Sequence, residues 1–257
     1  LKRFLLNLPR NTLGISCLVV MTIVGVIVAA VTMAWSADGV GKHASHWAFQ
    51  AWSRLSLRLF GVRVYVVGME NLAGPPCVMV SNHRSHIDVP VLGAVLPVPV
   101  CSVYKKSLER IPILSSALWL SQSVGVDRED SANSRQQMDL VASRLKGGRS
   151  IVVFPEGFRS TAPVLMPFKK GAVVTALEQQ VDIVPITIVG TGSLYPPNQL
   201  MVMPGDVLVV IHPRESTAGL NLSDRATLNQ KLRDIVSSAF SPGRPTLLRL
   251  HNAVRVL

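Results

Sequence analysis

Hydrophobic and polar positions divide the chain at about residue 60. Residues 13–35 carry no charge. As a helix those 23 residues reach about 34 Å, enough for a hydrocarbon core of roughly 30 Å. In residues 43–60, Trp47, Ala51, Leu55 and Leu59 recur every fourth position with Ala48 and Trp52 beside them, while His46, Gln50, Arg54 and Arg58 take another side. That periodicity predicts an amphipathic helix whose two tryptophans suit the headgroup level of a bilayer. A glycine-bearing turn at 38–41 joins the two segments. The pattern suits an N-terminal membrane-anchoring helical hairpin over residues 1–60, entering one leaflet and returning, in preference to a full span. A cleaved signal peptide is the rival, given Lys2, Arg3 and Arg10, but its apolar core would be overlong.

After residue 60 the period shortens. Short β-branched runs bounded by Gly or Pro fall at 62–67, 77–81, 100–104, 125–127, 150–154, 183–189 and 207–212 and predict strands. Helical spacing falls at 88–96, 112–120, 131–145, 170–178 and 223–239. Strands alternating with helices predict an α/β domain over 61–257 with a mostly parallel central sheet flanked by helices. The tail, 244–257, is basic and apolar, suited to touching membrane or to loose order.

Charge sharpens this picture. The chain carries 26 Lys plus Arg against 15 acidic residues, a formal +11. Six basic residues and one acidic lie in 1–60, leaving 20 and 14 for 61–257. A basic chain seeks nucleic acid or an anionic membrane surface. With so apolar an anchor and no RNA-recognition signature, the reading is membrane and no nucleic acid. Positive residues flank the apolar run on both sides, so the positive-inside rule does not orient it. Cys17, Cys77 and Cys101 are widely spaced in apolar runs and form neither a disulfide framework nor a metal-ligand spacing.

The chemistry concentrates in two clusters. Asn82-His83-Arg84-Ser85-His86-Ile87-Asp88 follows one predicted strand. Residues five apart on one α-helix diverge by about 140°, so His83 and Asp88 meet only if His83 occupies the turn before a helix and Asp88 its first turn, with Asn82 or Ser85 free to cap. A carboxylate on one ring nitrogen fixes the tautomer and leaves the other nitrogen as a base. A surface histidine beside a helix-dipole aspartate is the bland alternative. His83, His86 and Asp88 as metal ligands lack a further ligand cluster, and Ser85 lacks the elbow of a serine nucleophile. The second cluster, Phe154-Pro155-Glu156-Gly157-Phe158-Arg159-Ser160, follows another predicted strand. Arg159 offers a planar fork for phosphate, and Gly157 lets a ligand approach the backbone. Lys105 and Lys106 follow a third strand and Arg128 a fourth. In an open α/β sheet, ligands gather at the carboxyl ends of strands, so these cations and His83 are expected on one edge.

In these clusters the chain resembles the 1-acyl-sn-glycerol-3-phosphate acyltransferases, a branch of the glycerolipid acyltransferase family. That family carries four ordered blocks, matched here over about residues 77–188. They are Asn-His with Asp five positions on (His83, Asp88); Gly125-Val126-Asp127-Arg128; Phe-Pro-Glu-Gly-Thr-Arg-Ser, with Phe158 in place of the usual threonine; and the apolar run Ile183-Val184-Pro185-Ile186. The resemblance implies that His83 deprotonates a glycerol hydroxyl for direct attack on an acyl thioester, with Asp88 orienting it. It implies that Lys105 or Lys106, Arg128 and Arg159 hold the acceptor phosphate, and that Glu156 and Gly157 shape the acceptor site through hydrogen bonds. It implies no cofactor and no metal: acyl-CoA or acyl-carrier protein is the donor, lysophosphatidic acid the acceptor, and membrane lipids the surroundings. The expected location is the cell inner (cytoplasmic) membrane with the catalytic domain on the cytosolic face. Rival readings are the same chemistry on glycerol 3-phosphate or another lysophospholipid, a membrane-bound lipid hydrolase, and a non-enzymatic membrane adaptor.

Overall fold

The computed structural model describes residues 40–111, 122–127, 131–197, 201–245 and 253–257, with isolated positions elsewhere (Thr12, Ser16, Ile23, Ile27, Ser115, Leu118, Gln199 and Leu250). Apart from isolated positions, the apolar segment at 13–35, the first arm of the expected anchoring hairpin, lies outside the described residues, as does most of 112–120. Among the described residues no helix is long and apolar enough to cross a membrane.

The strands are β1 (Val62–Val67), β2 (Val78–Ser81), β3 (Val100–Lys105), β4 (Val124–Val126), β5 (Ser150–Val153), β6 (Ile183–Val189), β7 (Gly205–Ile211) and β8 (Val254–Arg255). The helices are α1 (Val40–Leu59), α2 (Asp88–Val95), α3 (Ser131–Lys146), α4 (Gly171–Gln179), the single turn α5 (Thr191–Leu194) and α6 (Arg225–Ala239). The strands form one sheet in the order β4-β3-β5-β2-β6-β7-β1-β8. Every residue of β6 is buried, as befits a central strand covered on both faces.

The sheet is mixed: five of its seven pairings are parallel, in line with the expected mostly parallel sheet, and two are antiparallel. From β4 across to β6 all neighbours run parallel, but β6–β7 and β1–β8 are antiparallel. The reversal follows from the 190–204 connection. Among its described residues it holds only the one-turn α5, and the chain returns alongside β6 without crossing over the sheet. Residues 253–257, the end of the tail, close the far edge: Val254 pairs with Val66, and Val256 N donates to Val64 O.

Alternation along the strands splits the core between the two faces. Val64, Val66 and Met79 pack with α2 and the end of α1, whereas Val78, Val80 and Ile151 pack with α3, α4 and α6. Cys77 and Cys101 are buried free thiols, and burial pushes the Cys101 thiol up to about 11.

The amphipathic helix is present as α1, and it docks on the domain through a face that the sequence reading did not assign. Ser53, Ser56, Leu57 and Phe60 are buried, whereas Trp47 is 69% exposed. Gln50 and Arg54 donate to Leu96 O and Ala94 O at the end of α2. Contact this close depends on Gly93, where a Cβ would stand 2.3 Å from Ser53 Oγ and 2.5 Å from Phe49. The Ser56 hydroxyl is satisfied by Trp52 O one turn back, at 2.6 Å. Trp47 thus points away from the sheet, with Ala51, Leu55 and Leu59 half-buried.

Candidate active site

β2, β5, β3 and β4 are adjacent and parallel, so their carboxyl ends share one edge. With strands about 4.8 Å apart, the exits of β5, β3 and β4 lie roughly 5, 10 and 15 Å from that of β2.

Where β2 ends, Asn82 extends the ladder with its side chain. Its amide donates to Ile188 O and accepts from Ile188 N, each at 2.8 Å. The exit of β2 is thereby fixed against β6, and His83 is the next residue. Asp88, fully buried, opens α2. Its Oδ2 accepts from His83 Nδ1 at 2.8 Å, Arg84 N at 2.7 Å and Ser85 N at 2.8 Å. The turn thus wraps one carboxylate oxygen, which makes the five-residue spacing work. A cap from Asn82 or Ser85 is not what forms. Asn82 is committed to β6, and the Ser85 hydroxyl donates to Tyr195 O at 2.6 Å and accepts from Ile87 N.

The His83 side chain keeps 18% of its surface open, and among the described residues Nε2 has no hydrogen-bond partner. Its ring stacks on Phe154 at 4.2 Å between centroids and 19° between planes. Phe154, the first residue of the second cluster, is a contact that the sequence reading did not assign. With Nδ1 held by Asp88 and the ring plane by Phe154, Nε2 has a set direction. This arrangement can accept a proton and pass it on.

Glu156 is buried, and both its oxygens are engaged. Oε1 accepts from His83 N at 2.8 Å and Oε2 from Met166 N at 3.0 Å. It therefore sits beneath the site as a strut between the β5 exit and the His83 turn. Gly157 follows with φ 82, a left-handed conformation that a side chain strains. The bend turns Phe158 out to solvent, 54% exposed, and leaves Arg159 half-buried beside His86. His86 is held below the usual histidine range by partial burial first, then by the charges of Arg159 and His83. Lys105 and Lys106 stand exposed at the β3 exit, two strands from His83. Arg128 lies outside the described residues, two positions beyond the end of β4.

A second residue missed by sequence reasoning is Arg84, only 6% exposed. Its guanidinium donates to Ser160 O at 2.8 Å, Ala162 O at 2.6 Å and Val164 O at 2.8 Å, and lies 4.4 Å above the Phe240 ring. Ser160 N also donates to His83 O at 3.3 Å. Arg84 thus ties the loop after Gly157 to the His83 turn. Three carbonyls lose their donor in Arg84→Ala, which should cost about 3 kcal/mol or more of stability. The measurement is the urea unfolding midpoint, with Arg84→Lys expected to recover part of the loss.

Among the described residues no three His, Cys, Asp or Glu side chains converge as a metal site.

A family model described as Acyltransferase matches residues 63–189, the span that holds both clusters. A 1-acyl-sn-glycerol-3-phosphate acyltransferase of Saccharomyces cerevisiae is 32% identical over 225 residues, covering 85% of this chain and 74% of the relative. One from Chlamydomonas reinhardtii is 34% identical over 178 residues, covering 68% of this chain, which spans only 53% of that relative's length. Among solved structures, that of the 1-acyl-sn-glycerophosphate (LPA) acyltransferase PlsC from Thermotoga maritima superposes with a TM-score of 0.80. It covers 92% of this chain and 95% of its own at 21% identity, a likeness of fold.

Proposed function

The chain belongs to the 1-acyl-sn-glycerol-3-phosphate acyltransferase family, and we propose that it transfers a fatty acyl group from acyl-CoA or acyl-carrier protein to the sn-2 hydroxyl of 1-acyl-sn-glycerol 3-phosphate, giving phosphatidic acid. The observation that carries this reading is the His83 Nδ1–Asp88 Oδ2 hydrogen bond of 2.8 Å, in a turn whose two following amides bind the same oxygen.

In this mechanism His83 Nε2 takes the hydroxyl proton as the oxygen attacks the thioester carbonyl. The tetrahedral intermediate collapses by breaking the C–S bond, and the imidazolium returns its proton to the departing thiolate. Asp88 orients the ring and stabilises its charged form. Arg159, one strand from His83, binds the acceptor phosphate, and Gly157 gives the bend that delivers it. Glu156 acts on the site through the His83 backbone. Lys105 and Lys106, with Arg128 at the next strand exit, supply positive charge further along the edge for anionic substrate groups. The acceptor is membrane-borne, and the enzyme works at the cytosolic face of the inner membrane, with residues 1–60 as a monotopic anchor and the thioester arriving from water.

The test is acyl transfer by the purified full chain in mixed micelles, with lysophosphatidate, glycerol 3-phosphate and lysophosphatidylcholine offered separately. Phosphatidate from lysophosphatidate alone is the expected product. Preference for another acceptor would change the substrate, and fatty acid release without acceptor would replace transfer by hydrolysis. In the same assay Arg159→Ala should raise the acceptor KM roughly 10- to 100-fold, the worth of a charge-assisted hydrogen bond, with a smaller change in kcat. An unchanged acceptor KM would remove Arg159 from the phosphate site.

A further inference from the structure

We propose that the loop at 158–164 is a second membrane contact, a rigid apolar tip that seats the His83 site against an anionic lipid surface. The inference rests on the reading of His83 as the base for a lipid-borne acceptor and names the surface that the site works on.

Phe158 and Val164 are 54% and 62% exposed, and they bracket a loop whose backbone is pinned from within. Arg84 holds the carbonyls of residues 160, 162 and 164, and Ser160 N is bound to His83 O. Leu165 and Phe168, directly after the loop, are buried with Val236. A mobile loop can fold large apolar side chains inward. One held at three successive alternate carbonyls cannot, so Phe158 and Val164 stay turned outward.

The neighbouring strand exit repeats the pattern. After β3, Leu108 and Ile111 are 36% and 50% exposed, between exposed Lys105, Lys106 and Arg110. Exposed Lys169 and Lys170 follow the loop at the start of α4, and Lys169 N is bound to Pro155 O at the β5 exit. The acidic residue in the β3 segment is Glu109, which accepts from Tyr104 Oη. Across these two segments, 105–111 and 158–170, five exposed cations stand against one exposed carboxylate, and interleaved with apolar side chains they are complementary to a bilayer that presents anionic headgroups over acyl chains.

The test uses the full chain with vesicles of phosphatidylcholine, with and without phosphatidylglycerol. An environment-sensitive fluorophore is attached at Phe158→Cys, or at Leu222→Cys as control, with Cys17→Ser in both. Leu222 is 44% exposed beside the opposite edge, where Gln180 binds Leu220 O. The expected result is a blue shift and intensity gain at position 158 and not at 222, larger on the anionic vesicles. In parallel, Phe158→Ser/Val164→Ser should lose about tenfold in turnover of long-chain lysophosphatidate presented in anionic vesicles. Turnover of a short-chain acceptor below its micellar concentration should stay within about twofold of the parent.

Equal fluorescence at the two positions would overturn the proposal. So would an equal loss on both acceptors, which would put Phe158 inside the acceptor pocket. A parent chain inactive on every acceptor, with the blue shift present at 158, would sink the acyl-transfer reading while sustaining the docking surface.

Discussion

His83→Ala should lower acyl transfer by roughly a thousandfold or more, with the fold intact. The contacts that shape the turn do not depend on the imidazole. Glu156 grips His83 through its backbone N–H, and Asp88 retains the amides of Arg84 and Ser85. What disappears is Nε2, whose direction Asp88 and Phe154 set, together with the ring that covers Phe154. The measurement is initial rate at saturating donor and acceptor, with circular dichroism to verify the fold. Activity above a few per cent in a folded variant would mean that another group, or water, takes the proton.

Asp88→Asn should be the second most damaging change, and it isolates the charge. Oδ2 faces three donors, so an asparagine there must turn its carbonyl oxygen toward them; an NH2 would confront two backbone N–H groups. The imidazole then keeps its Nδ1–H tautomer and its orientation. Lost is the negative charge that stabilises imidazolium as the hydroxyl proton transfers. A loss of roughly a hundred- to a thousandfold in kcat is expected. That is smaller than the roughly ten-thousandfold loss seen where the wrong tautomer is also imposed. An effect confined to KM would show that Asp88 acts on binding and not on the base.

Much of this arrangement was readable in the sequence because it is built from local signals. Strands β1 and β6 are bounded as predicted, since their β-branched runs are closed by glycine or by a change of period. The five-residue spacing allows the His83–Asp88 pairing if a turn precedes the helix, and in the structure that hydrogen bond forms. Strand direction was not readable beyond β6. It depends on how the 190–204 connection travels, and α5 is too short to show a period. The face by which α1 docks was not assigned because buried Ser53 and Ser56 look polar, while Gly93, the residue that admits them, belongs to another helix. The backbone role of Glu156, and Arg84 altogether, were hidden for a similar reason. A charged side chain suggests solvent or ligand, but these two spend their hydrogen bonds on distant backbone.

The side-chain splice between Asn82 and Ile188 has a consequence for the birth of the protein. The histidine and its aspartate are near neighbours in the chain, yet the exit of β2 is fixed by a partner 106 residues on, and His83 by another 73 residues on. Such distant closures are slow relative to local ones. A chain emerging from the ribosome passes through a long stage with the whole motif already synthesised and its geometry unmade. Catalytic competence should therefore switch on late and all at once, when β6 docks, so that a partly folded chain already near lipid and thioester stays silent.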